Sequence, residues 1–116
     1  MTEREALNAL RAAFTAGVSG AAPDLTARQS ALLLTVGLSA GPHTVRGLAA
    51  ELDVSKPVIS RAVDRLEALC LVRRVRDERD LRSVFIERTP AGSAFLRAMA
   101  RPILGLGRTK PVKKAA

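Results

Sequence analysis

Residues 44–89, TVRGLAAELDVSKPVISRAVDRLEALCLVRRVRDERDLRSVFIERT, decide the fold. Thr44 is a side-chain cap for a helix over Val45–Leu52, where Val45, Leu48, Ala49 and Leu52 make one apolar stripe. Asp53-Val54-Ser55 forms a turn, and Ser55 caps a second helix from Lys56 to about Leu69. Pro57 fits its first turn, where no amide hydrogen is needed. Ile59, Ala62, Val63 and Leu66 recur at core spacing, which leaves Lys56, Pro57, Ser60, Arg61, Asp64 and Arg65 on the outer side. Leu71–Val75 and Ser83–Glu87 then alternate as half-buried strands around the charged loop Arg76–Arg82. Helix, tight turn, helix and basic hairpin is the layout of a winged helix-turn-helix, which places the second helix in the DNA major groove.

Working outward, Thr2 to about Gly17 reads as a helix with Glu3 and Glu5 at its positive end. Leu7, Leu10, Phe14 and Val18 share one face of it, so that face is expected to be covered, by the rest of the chain or by a second copy. GVSGAAPD is a connection, and Thr26 caps a helix over Ala27–Ser39 whose ALLLTVGL stretch is apolar nearly all round, as a central helix would be. His43-Thr44 leaves room only for a minimal strand. Thr89-Pro90 starts a last helix with Phe95, Leu96 and Met99 on its apolar face, and Pro102 is expected to stop or bend it. The expected architecture is mainly α with a small β-wing, with about five helices and a two- to three-stranded antiparallel sheet. It divides into an N-terminal helix for packing or dimerisation (1–20), a winged helix-turn-helix (24–104) and a basic flexible tail (105–116).

Composition narrows the function. A net charge of +8 points to a polyanionic partner. Between Lys56 and Arg82 eight bases face five acids, and from Arg101 onward five bases stand with no acid. Aromatic residues are only 3% of the chain, too few for a platform on which single-stranded bases stack. One cysteine excludes an internal disulfide, and the lone His43 cannot make a multi-histidine metal site, so a turn role is expected of it. Cys70 reads as a small buried hydrophobe rather than a redox sensor. No nucleophile–base pair or glycine-rich phosphate loop is present, so neither an enzyme nor a cofactor is expected. The longest apolar runs are too short to cross a bilayer and the N-terminus has no signal-peptide order, which places the protein in the cytoplasm, with no membrane partner.

Leu25 to Leu96 resembles the MarR family of bacterial winged-helix regulators. LTARQSALLLTV, VRGLAAELDVSKPVISRAVDRLEAL and LVRRVRDERDLRSVFIERTPAG carry the likeness, together with Asp80-Leu81-Arg82-Ser83, Thr89 and Gly92. The resemblance implies a transcriptional regulator, usually a homodimeric repressor on an inverted-repeat operator, which in many members is released by a small-molecule effector or an oxidant. Two departures stand out. Family members finish with long dimerisation helices, whereas few residues follow Pro102 here, and Cys70 stands where the family has a helix-ending glycine.

On this reading Thr44, Arg46, Ser55 and Lys56 clasp phosphate near helix starts. Pro57, Val58, Ser60, Arg61 and Arg65 face base edges, with Arg61 the first choice for guanine and Pro57 or Val58 for a thymine methyl. The resemblance assigns Arg82 to the minor groove, with Asp80 holding it, while Arg79 contacts phosphate or stays free in solvent. Of Arg73 and Arg74, on alternate strand positions, at most one faces DNA and the other pairs or caps. The partner is then double-stranded DNA at the nucleoid. Two other readings stay open on the sequence: a winged helix that docks onto another protein, and a non-specific nucleoid or plasmid-maintenance DNA binder.

Overall fold

A computed structural model describes residues 1–20 and 22–107. Its order is α1 (Glu3–Ser19), α2 (Ala27–Leu38), α3 (Val45–Leu52), α4 (Lys56–Ala68), β1 (Val72–Arg76), β2 (Val84–Arg88), α5 (Pro90–Leu104) and a 3-10 turn at Gly105–Gly107. The fold is the mainly helical winged helix-turn-helix expected, with five α-helices and a two-stranded antiparallel sheet. The strands pair Val72 with Arg88 through to Arg76 with Val84, one residue further along the chain than the alternation suggested at each end. His43 adds the minimal third strand as a single bridge, its carbonyl accepting from Ile86 N at 2.8 Å. Most of the basic tail (108–116) lies outside the described residues.

Contacts divide the chain into two units, one spanning Pro23–Leu96 and the other joining the N-terminal segment through Ala22 to the chain from Arg97 onward. The first holds the core. Leu32, Leu33 and Val36 of α2 pack with Leu48 and Ala49 of α3, with Ile59, Ala62, Val63 and Leu66 of α4, and with Leu71, Val72 and Ile86 of the wing base. Phe95 and Leu96 cover its edge. Gly37 on α2 has no side chain because Leu96 fills that space, and Arg88 clamps the same turn by donating to the Gly37 carbonyl at 2.7 Å. The α2 helix is not buried all round, since Leu34 and Leu38 face outward. In the other unit, Leu7, Leu10, Phe14 and Val18 of α1 are 53–84% exposed, so no described residue covers the stripe that called for a cover.

Local sequence explains the helix ends, with three corrections. Thr26 and Gln29 form a reciprocal capping box, and Thr44 accepts from Gly47 N at 3.0 Å. Ser55 occupies the cap position of α4, but its hydroxyl makes no capping bond. Pro57, in the first turn, contributes no amide hydrogen of its own there. Pro102 does not stop α5, which runs on to Leu104; a proline this close to a helix end forgoes a single ladder bond. Cys70 is exposed rather than buried, with φ 62°. It ends α4 in a Schellman turn, where Leu71 N bonds Leu66 O and Cys70 N bonds Glu67 O, both at 2.9 Å. Asp53 does the same for α3 at φ 54°, a conformation a short polar side chain tolerates.

Thr89 sits directly over that turn. Its hydroxyl donates to the Cys70 carbonyl at 2.6 Å and accepts from Gly92 N at 2.9 Å, while its own amide donates to Leu71 O. Gly92 is buried so close that an added Cβ would collide with the Leu71 carbonyl. Gly92→Ala should therefore lower stability in urea unfolding by about 1–3 kcal/mol, the usual cost of overpacking. Cys70→Gly should raise it by about 1 kcal/mol by relieving the left-handed backbone.

Candidate nucleic-acid interface

The outer face of α4 carries the expected set. Lys56, Pro57, Arg61 and Arg65 are exposed, and Val58 and Ser60 are half-buried. Arg61 Nε donates to the Pro57 carbonyl at 3.3 Å, an i, i−4 bond that lays the guanidinium along the helix. Among the described residues neither Arg61 nor Arg65 has a carboxylate partner. Ser55 stands exposed at the start of α4, and Arg46 is exposed on the first turn of α3. Thr44 is half-buried and its hydroxyl already caps α3.

One cation escaped the sequence reading. Arg28 lies in the first turn of α2 and shares a shallow, open depression with Thr26, Gln29, Val58, Arg61 and Ala62. Nothing in the local sequence could announce this, because it follows from the crossing of α2 and α4. The depression joins two arginines to a helix N-terminus, a surface suited to an anion.

The wing tip is organised by its acids. Asp77 N donates to Ser83 O at 2.9 Å and closes the loop. The Asp77 carboxylate accepts from Arg79 N at 2.9 Å, and Asp80 accepts from Arg82 N at 3.1 Å and from the Ser83 hydroxyl at 3.2 Å. Asp80 thus holds the backbone at Arg82 rather than its guanidinium. Both carboxylates are spent on tip hydrogen bonds, while the side chains of Arg79, Leu81 and Arg82 are exposed.

The two strand arginines both pair. Arg73, on the outer face of the wing, meets Glu87 across the strands at 3.4 Å. Arg74 shares its face with Ile86 and points at α4. Its guanidinium reaches Asp64 Oδ1 at 2.7 Å and Glu67 Oε1 at 2.8 Å, and its amide donates to Glu67 Oε2 at 3.0 Å. Burial works against the Arg74 charge, but its hydrogen bonds to Asp64 and Glu67 outweigh it and raise its pKa. The Arg74 amide, and then its guanidinium, hold the Glu67 carboxyl below its ordinary value, against burial and the neighbouring Asp64 charge.

Comparisons with known proteins place this arrangement. A MarR family model matches residues 24–83. The chain belongs to the MarR family. A probable transcriptional regulator from Pseudomonas aeruginosa is 30% identical over 89% of this chain and 76% of its own, with TM-score 0.64. The transcriptional regulator BldR from Sulfolobus solfataricus is 26% identical over 97% of this chain and 81% of its own, with TM-score 0.64. The Staphylococcus aureus MepR–DNA complex shares the fold at 20% identity, covering 91% of this chain and 78% of its own, with TM-score 0.67. No curated protein matches the chain. The fold is that of the family's transcriptional regulators, which are DNA-binding proteins and not enzymes. Among the described residues no helix is long and apolar enough to cross a membrane, and no cluster of metal-ligating side chains is present.

Glu67 has a folded pKa below its unfolded value. Its contribution to stability is complete above the ordinary glutamate value of 4.5 and is lost as pH falls through the folded value. Glu67→Gln should therefore lower the urea midpoint near neutral pH, and should make its decline below about pH 4.5 shallower than in the wild type.

Proposed function

We propose that the chain is a sequence-specific binder of double-stranded DNA that represses transcription as a homodimer on an inverted repeat, at the nucleoid in the cytoplasm. The observation that carries this reading is the division of charge on α4 and the wing. Arg61 and Arg65 stand outward without carboxylate partners, whereas Asp64, Glu67, Asp77 and Asp80 are each committed to bonds within the protein. Such a surface presents cations to a polyanion and keeps four of the five acids between Lys56 and Arg82 occupied, the fifth being Glu78, exposed at the wing tip.

On this reading α4 enters the major groove, with Arg61 on guanine and Pro57, Val58, Ser60 and Arg65 along neighbouring base edges. Thr44, Arg46, Ser55, Lys56 and Arg79 hold phosphates, and Arg28 joins them from α2. The wing, braced by Asp80, carries Arg82 to the minor groove. One half-site buries roughly 600–1,000 Å², too little for tight binding, so two copies are needed. The exposed Leu7, Leu10, Phe14 and Val18, with Ile103, Leu104 and Leu106 in the same unit, supply an apolar surface for the second copy. That MepR has been captured on DNA with this fold supports the same partner here.

Selection of bound duplexes from a randomised pool at about 150 mM salt should recover an inverted repeat. Arg61→Ala and Arg82→Ala should each weaken binding to it by about tenfold and relax preference at the bases they meet. Arg28→Ala should weaken selected and random duplexes alike and reduce the salt slope by about one. Absence of any enriched sequence would reject specific recognition in favour of a non-specific binder. The exposed stripe also fits a module that docks onto another protein, and intact cellular activity in both Arg61→Ala and Arg82→Ala would favour that reading.

A further inference from the structure

We propose that Arg74 is a positioning residue for DNA recognition: its fork onto Asp64 and Glu67 locks the wing to α4 and so sets where Arg82 lies relative to the base-facing side chains. The inference rests on the reading of α4 and the wing as the DNA-binding surface.

A two-stranded ribbon is marginal on its own and twists readily, so its aim depends on what anchors it. At its base, Leu71, Val72 and Ile86 enter the core, and His43 bridges to Ile86. Those contacts reach to the middle of the ribbon, where Ile86 pairs with Arg74 itself, and not to its tip half. Of the inward-facing positions on β1, Val72 is buried and Arg76 is exposed, and Arg74 lies between them. Arg74 is thus the last point at which the strand grips the body before the tip. It grips α4 and no other helix, through two carboxylates one turn apart and, at 3.4 Å, the Ser60 carbonyl. Ser60 and Asp64 alternate along α4 with Arg61 and Arg65, so the bridge fastens the wing to the very stretch of helix that carries the base-facing side chains.

The fork shape matters. A guanidinium satisfies two carboxylates in fixed directions, where an ammonium would act as a point charge. The bridge also offsets one of the two negative charges on a helix that is to approach phosphate. Positioning and neutralisation are separable, because removing the acids breaks the bridge without leaving negative charge behind.

The test is a double-mutant cycle on the duplex enriched from the randomised pool and on a random duplex of equal length. In the wild type, Arg82→Ala should weaken the enriched duplex about tenfold. In a D64N/E67Q background the same change should cost less than about threefold, because an unfastened wing no longer delivers Arg82 to one place. Affinity of that background for the random duplex should be unchanged or higher, since two negative charges are gone. Arg74→Met should show the same loss of coupling with weaker binding to both duplexes, its acids being left uncompensated. If Arg74→Met does not fold, the acid-side pair decides alone. An equal cost of Arg82→Ala in wild type and in a folded D64N/E67Q background would overturn the positioning role, as would a wild-type chain in which Arg82→Ala costs nothing. A wild-type chain with no preference for the enriched duplex would overturn the DNA-recognition reading and this inference together.

Discussion

The structure turns on one junction, where the end of α4, the two ends of the wing and the start of α5 meet within a few ångströms. Cys70 takes the left-handed conformation that ends α4, and Leu71 drops into the core as β1 begins. Thr89, leaving β2, bonds the Cys70 carbonyl and caps α5 with the same hydroxyl. Gly92 lets the first turn of α5 lie against the Leu71 peptide. Two helices and a hairpin thus meet at two successive peptide units, Cys70–Leu71 and Leu71–Val72, and their partners. The wing starts from there, which is why an exposed cysteine and a buried glycine carry more structural consequence than their surroundings suggest.

Much of this was legible in the sequence because local chemistry determined it. The bounds of α3, the capping roles of Thr26 and Thr44, and the buried stripe Ile59, Ala62, Val63 and Leu66 follow from cap residues and 3.6-residue spacing. The errors arose where a side chain had a choice. Ser55 has a hydroxyl suited to capping and does not use it. Cys70 was expected inside because small thiols usually are, yet the position required of a helix-ending residue points it outward. Pro102 was expected to stop or bend α5 and does not stop it, since a proline this near a helix end costs one bond. No described glycine has a positive φ, and Gly37 and Gly92 serve close approach.

The candidate interface was legible in its membership more than in its organisation. Spacing alone showed which side of α4 faces outward. It could not show that Arg28 of α2 borders Val58 and Arg61, or that Arg74 reaches back to Asp64 and Glu67, since both depend on how elements cross. Counting charge between Lys56 and Arg82 gives only a modest positive excess. The structure occupies four of the five acids there with hydrogen bonds inside the protein and leaves Glu78 exposed. A carboxylate already receiving hydrogen bonds is poorly placed to take an incoming arginine away from DNA.

That division of labour also bears on how much a basic domain can discriminate. Unpaired surface arginines attract any polyanion, and attraction alone gives affinity without sequence preference. Preference requires that several of them arrive together at fixed separations, so that a displaced base edge cannot be met by a shift of one side chain. In this fold the separations within α4 are guaranteed by the helix, but the separation between α4 and Arg82 rests on the Leu71–Thr89 junction, the buried Val72 and Ile86, the His43–Ile86 pairing and the Arg74 bridge. The junction fixes where the wing begins, and the bridge fixes where it goes. An aromatic-poor core of Leu, Val, Ile and Ala can hold the first by packing. Beyond Val72 the inward face of β1 carries only Arg74 and Arg76, so on that strand a charged fork holds the second.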